Sequence, residues 1–474
     1  MNKNASRNLR KEKFNRMAEM LENAISNKSS FYMDAYDCID LEQWYLWDKG
    51  DAQKALKTLD YGLSLHPQNK DLLYEKANIY LDSGHTYEGQ KIAELLEEDE
   101  EYSDKAKFLN AKALMNDGLF ECAKEYTDSI ENKKNLDLIC DIVYLYMENK
   151  HPDEAYEWLQ LGYEDFCDEE DYNAATAEFY SSNGNVQEAI GYCNKAIDLN
   201  PYHAPYWELL ANIYFQDEQI EKAIEACDYA IVCDKDFAQT YVTRASCYLQ
   251  LGNMQAARKD YTEAEQRGIV PQGFTTAMLG LNDMANNEWD NAIENLESVQ
   301  DLNDNDDTRK MLPVISANLA YCYYEKGEKD KAFKVLNKAL SENIECVEIY
   351  LTLGRIYKEE GNEEKSTAAW QKALSIAPMP DTWLEIGISF FRTSNLEQAR
   401  MAFEQALALD PNLRRVHEKL AVICILKYDA KGFLEHNKHF RKPLNQNEQN
   451  IVVEAIETGD MVPLLPFLQE LFLR

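Results

Sequence analysis

Side chains that could do chemistry are few and incompletely assembled. Asp301-Leu-Asn-Asp-Asn-Asp-Asp307 sets oxygen donors at the alternate positions with which a calcium-binding loop surrounds its ion. The pattern then fails. Asp306 stands where such a loop needs Gly, and Leu312 where it needs a bidentate Glu, so the stretch is expected to be a solvated linker. His436 and His439 share a helix face at i+3 spacing, but no Cys or carboxylate completes a zinc set. The acidic runs Glu97 to Glu101 and Asp168 to Asp171 read as solvated surface. There is no glycine-rich phosphate loop, no G-x-S-x-G, no H-E-x-x-H, and no Cys with a His placed to activate it. The expectation is a chain that is not an enzyme, with no catalytic residue, no metal and no cofactor.

Composition narrows the partner class. Among 474 residues, 84 acidic side chains outweigh 49 basic ones for a formal net charge of -35, which repels phosphate backbones and anionic headgroups. Nucleic acid is therefore not an expected partner. The eleven Cys include no C-x-x-C pair, which points to a reducing, cytoplasmic setting. No apolar run of signal-peptide length follows the basic residues near the start, and none is long enough for a membrane span.

The positioning elements emerge from internal periodicity. A-x-x-Y-x-x-x-G-N at Ala245, A-x-x-Y-x-x-x-G-E at Ala320 and G-x-x-Y-x-x-x-G-N at Gly354 each precede a second amphipathic stretch. In that phase, twelve units begin at Tyr36, Lys70, Asp104, Leu136, Glu170, Ala204, Ala238, Gly273, Pro313, Val347, Pro380 and Arg414. The eighth place is Ala or Gly in all but Gln43 and Val143, and the twentieth is small in all but Phe433. Small residues at two fixed places are what two antiparallel helices need to approach closely. Aromatic residues one turn later, such as Tyr146, Tyr180 and Tyr248, are expected to fill the space around the contact. Gly50, Gly84, Gly118, Gly184, Gly252, Gly327 and Gly361 mark the turns within pairs.

This spacing, with L-x-P endings such as Leu199 to Pro201 and Leu409 to Pro411, resembles the tetratricopeptide repeat over roughly residues 36–440. The resemblance implies an all-α, helix-turn-helix solenoid of about twelve repeats, wound as a right-handed superhelix whose first helices line a concave groove. The chain is expected to divide into a basic amphipathic N-terminal helix region (1–35), an array of eight units (36–299), an acidic linker or hinge (300–312), four further units (313–442) and capping or docking helices (443–474).

Family geometry implies groove-lining residues at the second, fifth, ninth, twelfth and thirteenth places of each first helix. Those expected to bind a peptide are Trp44, Trp47, Tyr74, Asn78, Phe108, Met115, Tyr144, Met147, Asn212, Phe215, Tyr321 and Tyr324. The carboxylate clamp of chaperone adaptors in this family wants Lys where Tyr74 and Glu208 stand, so chaperone-tail binding is not implied. The function expected is a protein-interaction scaffold that holds a protein or peptide segment in its groove. Two alternatives are kept: binding of an acidic partner, RNA or anionic surface through basic terminal segments, including Arg414, Arg415, Lys419 and Lys427, or service as a non-catalytic regulatory subunit. The apolar helix Val462 to Phe472 is expected to fold back as a cap, with docking on another chain, including self-association, as the alternative.

Overall fold

In the computed structural model, residues 3–27, 31–48, 50–300, 302, 306–342, 346–440, 443–459 and 462–464 are described. They are all-α, with no strand among the described residues. Twelve helix pairs form a tetratricopeptide-like array in two compact units, 1–270 and 271–474.

The first unit opens with the helix Lys3–Asn27 and continues through seven pairs. Their first helices are Ala35–Gln43, Lys70–Asp82, Ser103–Asn116, Leu136–Glu148, Glu170–Ser182, Ala204–Gln216 and Gln239–Gln250. The second unit has five pairs, with first helices Phe274–Ala285, Asp306–Glu325, Val347–Glu359, Pro380–Arg392 and Arg414–Leu426, followed by the helix Gln446–Thr458.

Each pair closes where the repeat demanded small residues. Ala77, Ala111, Ala177, Ala211 and Ala245 of the first helices are completely buried, as are Ala123, Ala189, Ala223 and Ala257 of the second. Larger side chains pack around these contacts: Tyr146 is fully buried and its hydroxyl shares a 2.6 Å hydrogen bond with Thr127, and Tyr180 stacks on Tyr192 at 5.5 Å.

The turn within every pair passes through one left-handed residue. The seven glycines named above adopt φ between 63° and 85°, and the remaining five pairs place Lys150, Glu218, Asn287, Ser394 and Tyr428 in the same conformation. The turn geometry is thus set by the helix termini, which need it to satisfy their last carbonyls. In one such turn Asn185 N donates to Tyr180 O at 2.8 Å, and Gly184 N to Ser181 O at 3.0 Å.

The structure places the segments outside the regular pairs as follows. The N-terminal helix is part of the first core: Phe14, Met17, Ala18 and Leu21 form an apolar stripe buried against Trp44 and Tyr45. The compact units divide between Val270 and Pro271, one pair before the acidic stretch 300–312. Across that stretch the core is continuous, since Leu296 and Val299 pack in one cluster with Ile315 and Leu319. At the other end, Val452, Ala455 and Ile456 of Gln446–Thr458 cover Phe433 and Ile425, so this helix caps the array. Residues 465–474, which hold most of the apolar helix expected to fold back as a cap or to self-associate, lie outside the described residues.

A matched pair of glycine substitutions checks the close-contact argument. A Cβ at Gly354 would collide with the indole of Trp370 in the partner helix, whereas one at Gly191 meets nothing within 4 Å. Gly354→Ala is expected to destabilise by about 1–3 kcal/mol through overpacking, and Gly191→Ala to stabilise by about 0.5–1 kcal/mol through helix propensity. Denaturant unfolding of the two variants checks the opposite signs.

Candidate functional site

The first unit encloses a cavity of about 570 Å³. Its walls come from six successive first helices: Gln43, Tyr74 and Glu75, Lys105, Asp137 to Tyr144, Asp171 to Glu178, and Tyr206 with Leu209. Three of these helices are capped at their N-termini by side chains: Asp34 accepts from Asp37 N at 2.7 Å, Asn69 from Leu72 N at 2.9 Å, and Asn135 from Leu138 N at 3.2 Å.

Carboxylates dominate the lining. Glu75, Asp141 and Glu178 are half-buried there, with Asp137 and Asp171 beside them. Burial raises Glu75 to about 7, helped by the like charge of Asp141, against the opposing pull of Lys105 and Lys112. Burial likewise raises Asp141 to about 6, with Lys112, the Tyr74 hydroxyl and Lys105 acting against it and Asp137 with it. Glu178 is raised to about 7 by burial alone. Behind this wall Glu42 is 1% exposed, and its Oε2 has no hydrogen-bond partner among the described residues. Burial raises it to about 8, and the charge of Glu75 adds to the effect.

Hydroxyls and one ammonium complete the lining. Tyr74 donates to Asp141 Oδ2 at 3.3 Å and Tyr206 to Asp171 Oδ1 at 2.7 Å. Lys105 Nζ lies 4.8 Å from the ring centroid of Tyr74 and 3.7 Å from Asp71 Oδ1.

Of the residues expected from the sequence, Tyr74 and Tyr144 line this cavity. Others expected in an open groove are core: Trp44, Phe108, Met115 and Tyr321 are all buried, and Tyr74 itself is 6% exposed. Trp44 is covered because Phe14 of the N-terminal helix stacks on it, with ring centroids 6.0 Å apart. Met147 is half-buried against the core that holds Phe108, and Phe215 packs beside Ile220 and Cys247. Asn78 receives a 3.5 Å contact from Lys112 Nζ, and Asn212 donates to Glu208 Oε1 at 3.4 Å. The side chain of Trp47 lies outside the described residues.

In the second unit, Tyr321 and Tyr324 belong to an ionic network. Arg355 and Arg392 lie 4.9 Å and 5.7 Å from the Tyr321 ring, Arg392 pairs with Glu325 at 2.6 Å, and Tyr324 donates to Glu360 at 2.9 Å. The sequence reading missed Glu75, Asp141 and Glu178 because it set aside acidic side chains as solvated. Their signal was a carboxylate recurring at the sixth or ninth place of first helices.

Other candidates assemble less. His417 Nδ1 faces His436 Nδ1 at 3.0 Å, its Nε2 lies 2.9 Å from Pro411 O, and His439 stacks on its ring at 3.9 Å. Among the described residues no group of three or more His, Cys, Asp or Glu is arranged to hold a metal ion. Within the basic C-terminal set, Lys427 is paired with Glu397. Among the described residues no helix is long and apolar enough to cross a membrane.

The helix pairs, their spacing and their turns define a repeat class that comparison with known proteins confirms. Residues 175–240 and 238–267 match tetratricopeptide-repeat models, and residues 275–428 match the model of the cilia and flagella-associated protein 70 C-terminal domain. The chain belongs to the tetratricopeptide-repeat proteins.

It is 24% identical to anaphase-promoting complex subunit 7 of Dictyostelium discoideum over 220 residues, which are 46% of this chain and 37% of that protein. It is 31% identical to human cilia- and flagella-associated protein 70 over 108 residues, covering 22% of this chain and 10% of that one. The chain thus spans well under half the length of either curated relative. A tetratricopeptide repeat protein from Parabacteroides merdae superposes with a TM-score of 0.39 and 15% identity, over 51% of this chain and 93% of that one.

The buried carboxylates give stability a definite pH dependence. A carboxyl whose folded pKa is raised favours folding in its protonated form, so its contribution is full below the unfolded value of 4.5 and is lost as pH rises through about 8 for Glu42. Glu42→Gln supplies a neutral side chain of the same shape. It is expected to raise the unfolding temperature at about pH 8.5 by about 2–4 °C and to change it little at about pH 5. Thermal unfolding followed by circular dichroism at both pH values checks this; an equal effect at both would show that Glu42 is ionised throughout.

Proposed function

We propose that this chain is a protein-interaction scaffold, and that the cavity of the first unit is where it holds a peptide segment of its partner. The observation that carries this reading is the construction of the cavity. Six consecutive first helices each contribute to one wall, so it is an extended surface made by the repeat itself and matched in length to a chain segment. Its lining of Tyr and Leu among charged groups supplies anchors and polar contacts together. The chain's membership of a repeat family whose other members include subunits of a multiprotein complex, such as anaphase-promoting complex subunit 7, supports the same class of role. In the second unit, by contrast, the Tyr321 region is already occupied by its own arginines.

Photo-crosslinking tests the location. Peptides selected from an unbiased display library against the full chain are expected to crosslink to a benzophenone side chain placed at Leu209. They should not crosslink to the same group placed at Tyr324. Labelling at Tyr324 with none at Leu209 would move the binding surface out of the first unit.

A further inference from the structure

We infer that the segment held in this cavity is cationic, a stretch of another protein that inserts a Lys or Arg side chain between Asp141 and Glu178 beside the ring of Tyr144. This inference rests on the cavity being the binding surface and adds the chemistry of what it takes.

Charge complementarity is the first argument. The lining presents five carboxylates, Glu75, Asp137, Asp141, Asp171 and Glu178, against the single ammonium of Lys105. Gathering like charges in one recess, three of them half-buried, is costly unless a counter-charge enters. The resident cations answer only one end. Lys105 and Lys112 act on Glu75 and Asp141, whereas Glu178 has no cation against it among the described residues.

The second argument is independent of the count. At the occupied end a ring of the wall already receives an ammonium: Lys105 Nζ lies 4.8 Å from the ring centroid of Tyr74. At the other end the lining again offers a ring and a carboxylate, Tyr144 and Glu178. Beneath the wall, Glu42 keeps a fully buried oxygen without a hydrogen-bond partner among the described residues, next to Glu75. A cation in the cavity offsets the like charge of Glu75, Asp141 and Glu178 at once.

Because the bulk charge of -35 attracts any polycation, the test separates the cavity from the surface. Binding of fluorescein-labelled octalysine to the full chain is measured by anisotropy at moderate salt. The variant Glu75→Gln/Asp141→Asn/Glu178→Gln is compared with Glu100→Gln/Glu221→Gln/Glu364→Gln, which removes the same charge from exposed positions. The cavity variant is expected to lose at least tenfold in affinity and the surface variant less than about twofold. Equal losses, or no binding of octalysine, would overturn the proposal. The cavity substitutions remove buried charges and keep side-chain shape, and circular dichroism confirms that each variant is folded.

A pH arm adds a signature that surface charge lacks. The peptide binds the ionised carboxylates, so wild-type affinity is expected to rise between about pH 5.5 and pH 8, as Asp141 titrates near 6 and Glu75 and Glu178 near 7. Octalysine stays charged throughout, and the cavity variant is expected to be flat. The groups acting on these three are Asp71, Asp137, Lys105, Lys112 and Tyr74, and the variant leaves all of them in place. The crosslinker at Leu209 distinguishes the two failures. If it captures neutral or acidic peptides and never octalysine, the binding surface stands and the cationic occupant falls; if it captures none, the surface itself is elsewhere.

Discussion

Everything in this molecule follows from how closely two helix axes approach at a pair of small residues. Ala77, Ala111, Ala177, Ala211 and Ala245 are completely buried, and each is opposed by an equally small residue one turn into the partner helix. At Gly354 and Gly387 even a methyl group is excluded, because the rings of Trp370 and Phe403 occupy the place of a Cβ. A contact that tight fixes the rotation of both helices. Once rotation is fixed, the remaining positions have no freedom over which of them face the next pair and which face inward.

That restriction brings distant parts of the chain together. Tyr74 and Asp141 are separated by 67 residues and still share a hydrogen bond, because two repeats of constant rise stack their first helices in register. Tyr206 reaches Asp171 across 35 residues in the same way. The left-handed residue in every turn protects the register. Where Gly is absent, Lys150 or Tyr428 accepts the strained conformation, which shows that stacking outweighs the local preference of roughly 1–2 kcal/mol.

The same logic explains what could be read from the sequence. Pair number, the buried alanines and the turn glycines were legible because each reports a local steric demand that few residue types meet. The inward face was legible only in part. Tyr144 lines the cavity, but Trp44 is covered by a helix whose stripe of Phe14, Met17 and Leu21 precedes the first repeat and lies outside the periodic pattern. Phe108 and Met115 turn into the core between neighbouring first helices, a distinction of a fraction of a turn that a place-numbering rule does not resolve. The acidic lining was hidden by composition: in a chain with 84 acidic residues, Glu75 and Glu178 look like surface until packing puts them in a recess.

The two units treat their inward charges differently, and the difference bears on function. In the second unit Arg355, Arg392 and Lys329 meet Glu385, Glu325 and Glu360, so these three carboxylates have partners within the fold. In the first unit Glu42 and Glu178 are raised toward neutrality by burial, without a cation acting on either among the described residues. A Gln at either place would fill the same space without the burden of a buried acid. Burial of these two acids therefore weakens the fold when they ionise, a cost that the paired carboxylates of the second unit do not carry in the same way.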